Sequence, residues 1–354
     1  MNMQEEKTRR NLPPLFPEGM TAEAFPAWRQ ERLALYAREC FGVTPPAPKA
    51  LRAEIEADRE DDWAGKAEHR RVKLTLELEA GEFSFPVHLV LPKAQRPAPC
   101  AVYISFTPYA TAGYQPIEEV VDHGYAMAVF CYEDVTRDNG DFADGLAAFF
   151  PRRGADAPGK ISLWAYAAMR VMDYLQTLPE IDSARTFVMG HSRLGKTALW
   201  AAAQDERFAA AVSNDSGCSG AAVSRGKVGE SVAAIYRQFP FWFCENYGAY
   251  GGREDALPFE QYQLLVCIAP RPLYVASASQ DEWADPQSEF LSALLASPAW
   301  ALLGAQGLPE GAQMPESGGR LVSGCVGYHL RPGTHYLSRY DWARVLRFLD
   351  IALL

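Results

Sequence analysis

The chain has 354 residues, 48% hydrophobic and 12% aromatic, enough for one large core with an appended segment rather than for several independent domains. A formal net charge of −10 and a pI near 5.2 remove any electrostatic case for nucleic acid or an anionic membrane surface as a partner. The 7 cysteines form no Cys-x-x-Cys pair and several lie in apolar runs, so neither a disulfide framework nor a metal site is expected.

The first residues, Met1-Asn-Met-Gln-Glu-Glu-Lys-Thr-Arg-Arg, lack an apolar core, and no later stretch approaches the roughly 20 apolar residues of a membrane span, so a cytoplasmic protein is expected. Two charged stretches of helical period, 22–41 and 51–64, flank the turn Val43-Thr-Pro-Pro-Ala-Pro48 and predict that residues 1–66 form a helical cap on the outside of a catalytic domain at 67–354. From Arg71 the period becomes two: Val72-Lys-Leu-Thr-Leu-Glu-Leu, a turn at Gly81, then Phe85-Pro-Val-His-Leu-Val-Leu predict a hairpin. Ala101-Val-Tyr-Ile-Ser-Phe and Ala126-Met-Ala-Val-Phe-Cys-Tyr are unbroken apolar runs, as in buried parallel strands. Helices at 161–178, 197–204, 286–296 and 341–353 then alternate with strands at 187–189, 209–213, 273–277 and 325–330. An antiparallel start followed by strand–helix units predicts an α/β-hydrolase fold, a three-layer αβα sandwich around a mostly parallel sheet. Residues 215–268 are too long for an ordinary connection and are expected to form an insertion that walls the pocket.

Gly190-His-Ser-Arg-Leu-Gly-Lys-Thr197 fits two chemistries. As Gly-x-x-x-x-Gly-Lys-Thr it satisfies the phosphate-loop pattern of nucleotide binders, with Asp215 as an improvised magnesium ligand. As an apolar strand, a sharp turn bearing Ser192, and a helix, it is a nucleophile elbow, although Leu194 stands where the second glycine of Gly-x-Ser-x-Gly belongs. A hairpin and two buried strands precede it, whereas a phosphate loop usually follows the first core strand, so the elbow is preferred. Ser192 as a mere helix cap is the plainer alternative, and the glycine-bounded turn disfavours it.

A serine hydrolase of this fold needs its residues in the order serine, acid, histidine. Ser192 is the candidate nucleophile. Among 6 histidines only His335, in Arg331-Pro-Gly-Thr-His335, sits in a loop before the final helix. Asp281 follows an apolar strand and is the first choice of acid, with Asp215 at the end of the preceding strand as the alternative; Asp285, just before Pro286, reads as a helix N-cap.

Gly190-His-Ser192-Arg193-Leu-Gly195-Lys196 resembles the Gly-Cys-Ser-Arg-x-Gly-Lys signature of the glucuronoyl esterases, carbohydrate esterase family 15, with His191 in place of the cysteine. Asn214-Asp215-Ser-Gly-Cys-Ser-Gly220 is similar to that family's Glu-Ser-Gly-x-Gly stretch, with aspartate for glutamate, and weaker similarity runs from about Ile161 to Asp350. The resemblance implies a cofactor-free serine esterase acting on a small hemicellulose-derived carbohydrate ester. It implies an oxyanion contact from Arg193 and sugar contacts from Lys196 and Trp242. Glucuronate ester cleavage leads, acetylxylan-type deacetylation follows, and a binding module with a dead triad is a distant third. The segment Phe106-Thr-Pro-Tyr-Ala-Thr-Ala-Gly113 departs from the Gly-Asn-rich loop that supplies the family's second oxyanion donor.

Overall fold

Alternation of Val72, Leu74, Leu76 and Leu78 with polar neighbours buries one face of β2 (Ala67–Leu78), which pairs antiparallel along its full length with β3 (Gly81–Pro92). In this computed structural model, which describes residues 3–108 and 114–353, the hairpin leads into a ten-stranded sheet. The remaining strands are β1 (Ala50–Asp61), β4 (Ala98–Ser105), β5 (Ala126–Cys131), β6 (Ile181–His191), β7 (Ala210–Asn214), β8 (Leu273–Ala278), β9 (Arg320–Ser323) and β10 (Val326–Arg331). Their order is β1-β2-β3-β5-β4-β6-β7-β8-β10-β9, parallel from β5 to β10 and antiparallel at both ends. The central strands β4, β5 and β7 are buried at every position, because helices cover both faces. Helices Lys160–Leu175, Arg193–Gln204 and Pro286–Ala296 pack on one face, and Ile117–Asp122 and Arg339–Ala352 on the other, which gives the three-layer α/β-hydrolase sandwich.

The N-terminal segment departs from the sequence expectation. Helix Phe25–Tyr36 does lie on the outside of the sandwich, where Arg29 donates to the carbonyls of Cys267 and Ala203 at 2.7 Å each. Residues 51–61 of the stretch predicted helical instead form most of edge strand β1, followed by a short turn of helix at Asp62–Gly65, so the cap is not a helix through to residue 66. Their small and apolar residues, Leu51, Ala53, Ile55 and Ala57, alternate with charges, which is a strand period; strong helix formers such as Glu and Arg obscured it. Nearly every β1 residue is exposed, so pairing with β2 rather than burial holds the strand, with Glu56 to Arg71 and Asp58 to Arg70 facing one another across it. A charged edge of this kind also discourages pairing with another chain. Among the described residues no helix is long and apolar enough to cross a membrane.

Candidate active site

At the C-terminal end of β6 the chain turns through Ser192 at φ 57°, ψ −127°, a conformation that non-glycine residues seldom adopt, and enters helix Arg193–Gln204 at once. Gly190 makes the turn possible: a Cβ there would stand 2.0 Å from the carbonyl oxygen of Leu194. The Ser192 N–H donates to the carbonyl of Asn214 at 2.9 Å, tying the elbow to the end of β7. The backbone N–H of Arg193, in the first turn of the helix, has no intrahelical acceptor by position and is available to an anion. This is a strand–serine–helix elbow following the sixth strand, not a loop after the first.

Ser192, Asp281 and His335 line one cavity of about 320 Å³. His335 Nδ1 lies 2.5 Å from Asp281 Oδ2, and the His335 side chain is 42% exposed while Asp281 is buried, so the other ring nitrogen is free to face the cavity. Burial pushes the Asp281 carboxyl up, but the hydrogen bond and charge of His335 outweigh it and hold the group below the usual carboxylate range. Asp281 is therefore an anion beside the imidazole.

Asp215, the alternative acid, sits close by, with a carboxylate oxygen within 4.8 Å of ring nitrogens of both His335 and His191. Its pKa is pushed the opposite way. Complete burial, then the neighbouring carboxylates of Glu289, Asp281 and Asp341, drive its pKa well above the usual range, and Arg331 opposes them only in part. Asp281 is hydrogen-bonded to His335 and Asp215 is not, so of the two acids Asp281 is the one placed to orient the imidazole. His191 is neutral: burial, then His335, push it down to about 3, and its Nδ1 meets Asn214 Oδ1 at 2.6 Å. Its ring packs against that of His335 with centroids 4.5 Å apart. His191, Asp215 and His335 each offer a ligand atom within 4.8 Å of the others, with Nδ1 of His191 engaged by Asn214 and Nδ1 of His335 by Asp281.

Arg193 lies between aromatic rings, its guanidinium 4.6 Å from the centroid of Trp242 and 5.5 Å from that of Phe106. Asp138, which nothing in the sequence singled out, anchors it. Its carboxylate accepts from Arg193, from Trp242 Nε1 at 2.6 Å and from the Tyr132 hydroxyl at 3.2 Å. Trp242 reaches the cavity wall from the insertion, but Phe239 stacks on it at 3.9 Å and 4°, Arg193 lies over it, and it is 3% exposed. Trp242 thus lines the cavity where the resemblance implied a sugar contact, and it also seats Arg193.

Lys196 is buried. Burial lowers its pKa, and the nearby carboxylate of Glu230 partly restores it. Its ammonium donates to the Ser216 carbonyl at 2.5 Å, leaving other N–H donors for the cavity it lines. Glu230 and Gln238 from the insertion and Trp283 from the Asp281 loop complete the polar wall. Glu230 and Gln238 were missed in sequence because their position depends on how the insertion folds back. Trp283, 55% exposed two residues after Asp281, forms part of the rim. Of segment 106–113, residues 109–113 lie outside the described residues, and the question of a second oxyanion donor lies there with them.

Beneath the floor, Glu289 accepts from Ser277 Oγ at 2.6 Å and Gly217 N at 2.9 Å. Burial drives its pKa up to about 7 despite these bonds. A carboxyl raised by folding contributes stability that is full below the ordinary glutamate value and is lost as pH rises through about 7. Glu289→Gln should therefore gain in Tm relative to the unmodified protein between pH 5 and pH 8, read by calorimetry; a difference independent of pH would contradict this charge state.

The family model for fungal glucuronyl esterase matches residues 72–304. Carbohydrate esterase MZ0003, from an unknown prokaryotic organism, is 41% identical over 244 residues, 68% of this chain and 56% of the relative. The chain thus spans little more than half the length of that curated relative. Among solved structures, a glucuronoyl esterase from Solibacter usitatus is 34% identical with a TM-score of 0.85 over 94% of each chain. A promiscuous carbohydrate esterase of family 15 from a marine bacterial metagenome is 31% identical with a TM-score of 0.87 over 96% of each.

Proposed function

The chain belongs to the glucuronoyl esterase family, and from that premise we propose that it is a serine carboxylic-ester hydrolase cleaving glucuronate or 4-O-methyl-glucuronate esters of hemicellulose-derived sugars. The observation that carries this reading is the meeting, in one monosaccharide-scale cavity, of an elbow serine, a His–Asp pair and a buried lysine opposite a carboxylate. Ligand sites run from about 300 Å³ upward, so about 320 Å³ suits a single sugar ring better than a chain segment.

Ser192 Oγ attacks the C6 carbonyl of the uronate ester while His335 takes its proton, and ionised Asp281 stabilises the imidazolium. Charge developing on the carbonyl oxygen is met by the Arg193 guanidinium and by the backbone N–H of Arg193, both fixed before the reaction. His335 then protonates the leaving alcohol, and the acyl-enzyme is hydrolysed by water activated at the same histidine. Lys196 donates to sugar hydroxyls and Glu230 accepts from them, contacts that only a sugar substrate can make.

Lys196→Ala and Glu230→Gln should each reduce kcat/KM on a glucuronate ester by about 10²-fold, the scale of a lost charged hydrogen bond, and spare para-nitrophenyl acetate. Trp242→Ala should lower both, because it unseats Arg193. Equal losses on the two substrates for Lys196→Ala would place that lysine in the scaffold and remove the sugar from this reading.

A further inference from the structure

We propose that Arg331 is a positioning residue for the general base, its guanidinium serving as the template on which the loop carrying His335 is wound. The proposal rests on His335 acting as the base and not on the identity of the ester.

Loop 332–337 is half-buried to exposed and has little packing to hold it. Arg331, the last residue of β10 and 8% exposed, fills its centre. Nη1 donates to the Pro332 carbonyl at 2.8 Å, and Nη2 donates to the carbonyls of Thr334 at 2.7 Å and Tyr336 at 2.6 Å. Thr334 and Tyr336 are the two neighbours of His335, so one nitrogen grips the backbone on both sides of the base. The planar fork suits this task, since five N–H donors in fixed directions specify a loop path that a single ammonium cannot.

The guanidinium is itself fixed. Nε lies 3.0 Å from Asp341 Oδ2, and Asp341 is held in turn by His329 Nε2 at 2.8 Å and by the Ser338 N–H and hydroxyl at 2.7 Å each. The backbone around Arg331 also joins the base loop to the acid loop: Ser279 N–H donates to the Arg331 carbonyl at 2.8 Å and Gln280 N–H to that of Gly333 at 2.9 Å. Gly333, at φ +111°, lets the chain pass close to the guanidinium; a Cβ there would lie 3.0 Å from Nη1. His335 and Asp281 therefore share one frame with Arg331 inside it.

The test compares Arg331→Met, which keeps length without donors, with Arg331→Lys, which can reach one or two of the carbonyls. Steady-state kinetics are read on para-nitrophenyl acetate and on benzyl glucuronate, with Tm measured alongside. Arg331→Met should lose about 10²-fold in kcat with KM within about twofold, the scale of a misplaced catalytic group, and Arg331→Lys should recover part of it. Purely structural damage lowers Tm and active fraction together and leaves kcat per titrated active site unchanged, whereas a mispositioned base lowers kcat per active site. If Arg331→Met does not fold, Arg331→Lys decides: a lower kcat per titrated active site with KM within about twofold supports the proposal, and an unchanged kcat overturns it. A loss confined to benzyl glucuronate would also overturn it, by placing Arg331 with the sugar contacts. If benzyl glucuronate is not a substrate at all, the acetate arm still reads Arg331 while the proposed substrate fails separately.

Discussion

Ser192→Ala should lower esterase turnover by about 10³-fold or more on every ester cleaved, because what survives loss of a triad nucleophile is only the catalysis of the oxyanion site and binding. Stability should not fall with it. The hydroxyl caps no N–H of the helix it precedes, and alanine inherits the same φ of 57°, ψ of −127°. Ser192→Gly should be as inactive and equal or exceed the unmodified protein in Tm, since glycine adopts that backbone region without strain. The pair of variants separates strain from chemistry at one position: the elbow holds a side chain in a disfavoured conformation in order to expose it. Retention of more than about a tenth of the rate by Ser192→Ala would remove it as nucleophile.

Asp281→Asn should approach the same loss, about 10³-fold, through a neutral partner that neither stabilises the imidazolium nor fixes its tautomer. Asp215→Asn should cost less than about tenfold, because Asp215 makes no hydrogen bond to His335 and asparagine reproduces its size. Two buried carboxylates near one histidine look interchangeable by distance; their surroundings separate them. Asp281 is paired with His335, whereas Asp215 has no hydrogen-bond partner on either oxygen among the described residues and faces three other carboxylates. A large loss at Asp215 with a small one at Asp281 would reverse the assignment.

Residues whose role follows from chain order were legible in the sequence. The hairpin β2–β3, the strand–serine–helix elbow, helix Pro286–Ala296 with its N-cap at Asp285, and the sequence Ser192, Asp281, His335 all rest on local period or on the order a hydrolase fold imposes. Residues whose role follows from a distant partner were not. Asp138 precedes Arg193 by 55 positions and carries no motif, yet its carboxylate fixes the guanidinium. Glu230 enters the cavity only because the insertion turns back over it. Strand β1 was obscured by charged residues that favour helices locally but alternate as an edge strand must. That Trp242 also seats Arg193 was not legible, since sequence shows an aromatic cluster but not which rings meet which partners. The choice between Asp215 and Asp281 turned on which carboxylate meets His335 in three dimensions, which spacing does not show.

The most direct measurement is a parallel time course of benzyl alcohol release from benzyl glucuronate and acetate release from acetylated xylooligosaccharides, with Ser192→Ala and Lys196→Ala as controls. Glucuronoyl esterase activity predicts a kcat/KM for the glucuronate ester at least about tenfold above that for the acetylated sugars, abolished in Ser192→Ala and selectively lost in Lys196→Ala. Preferential acetate release that ignores Lys196 would contradict it.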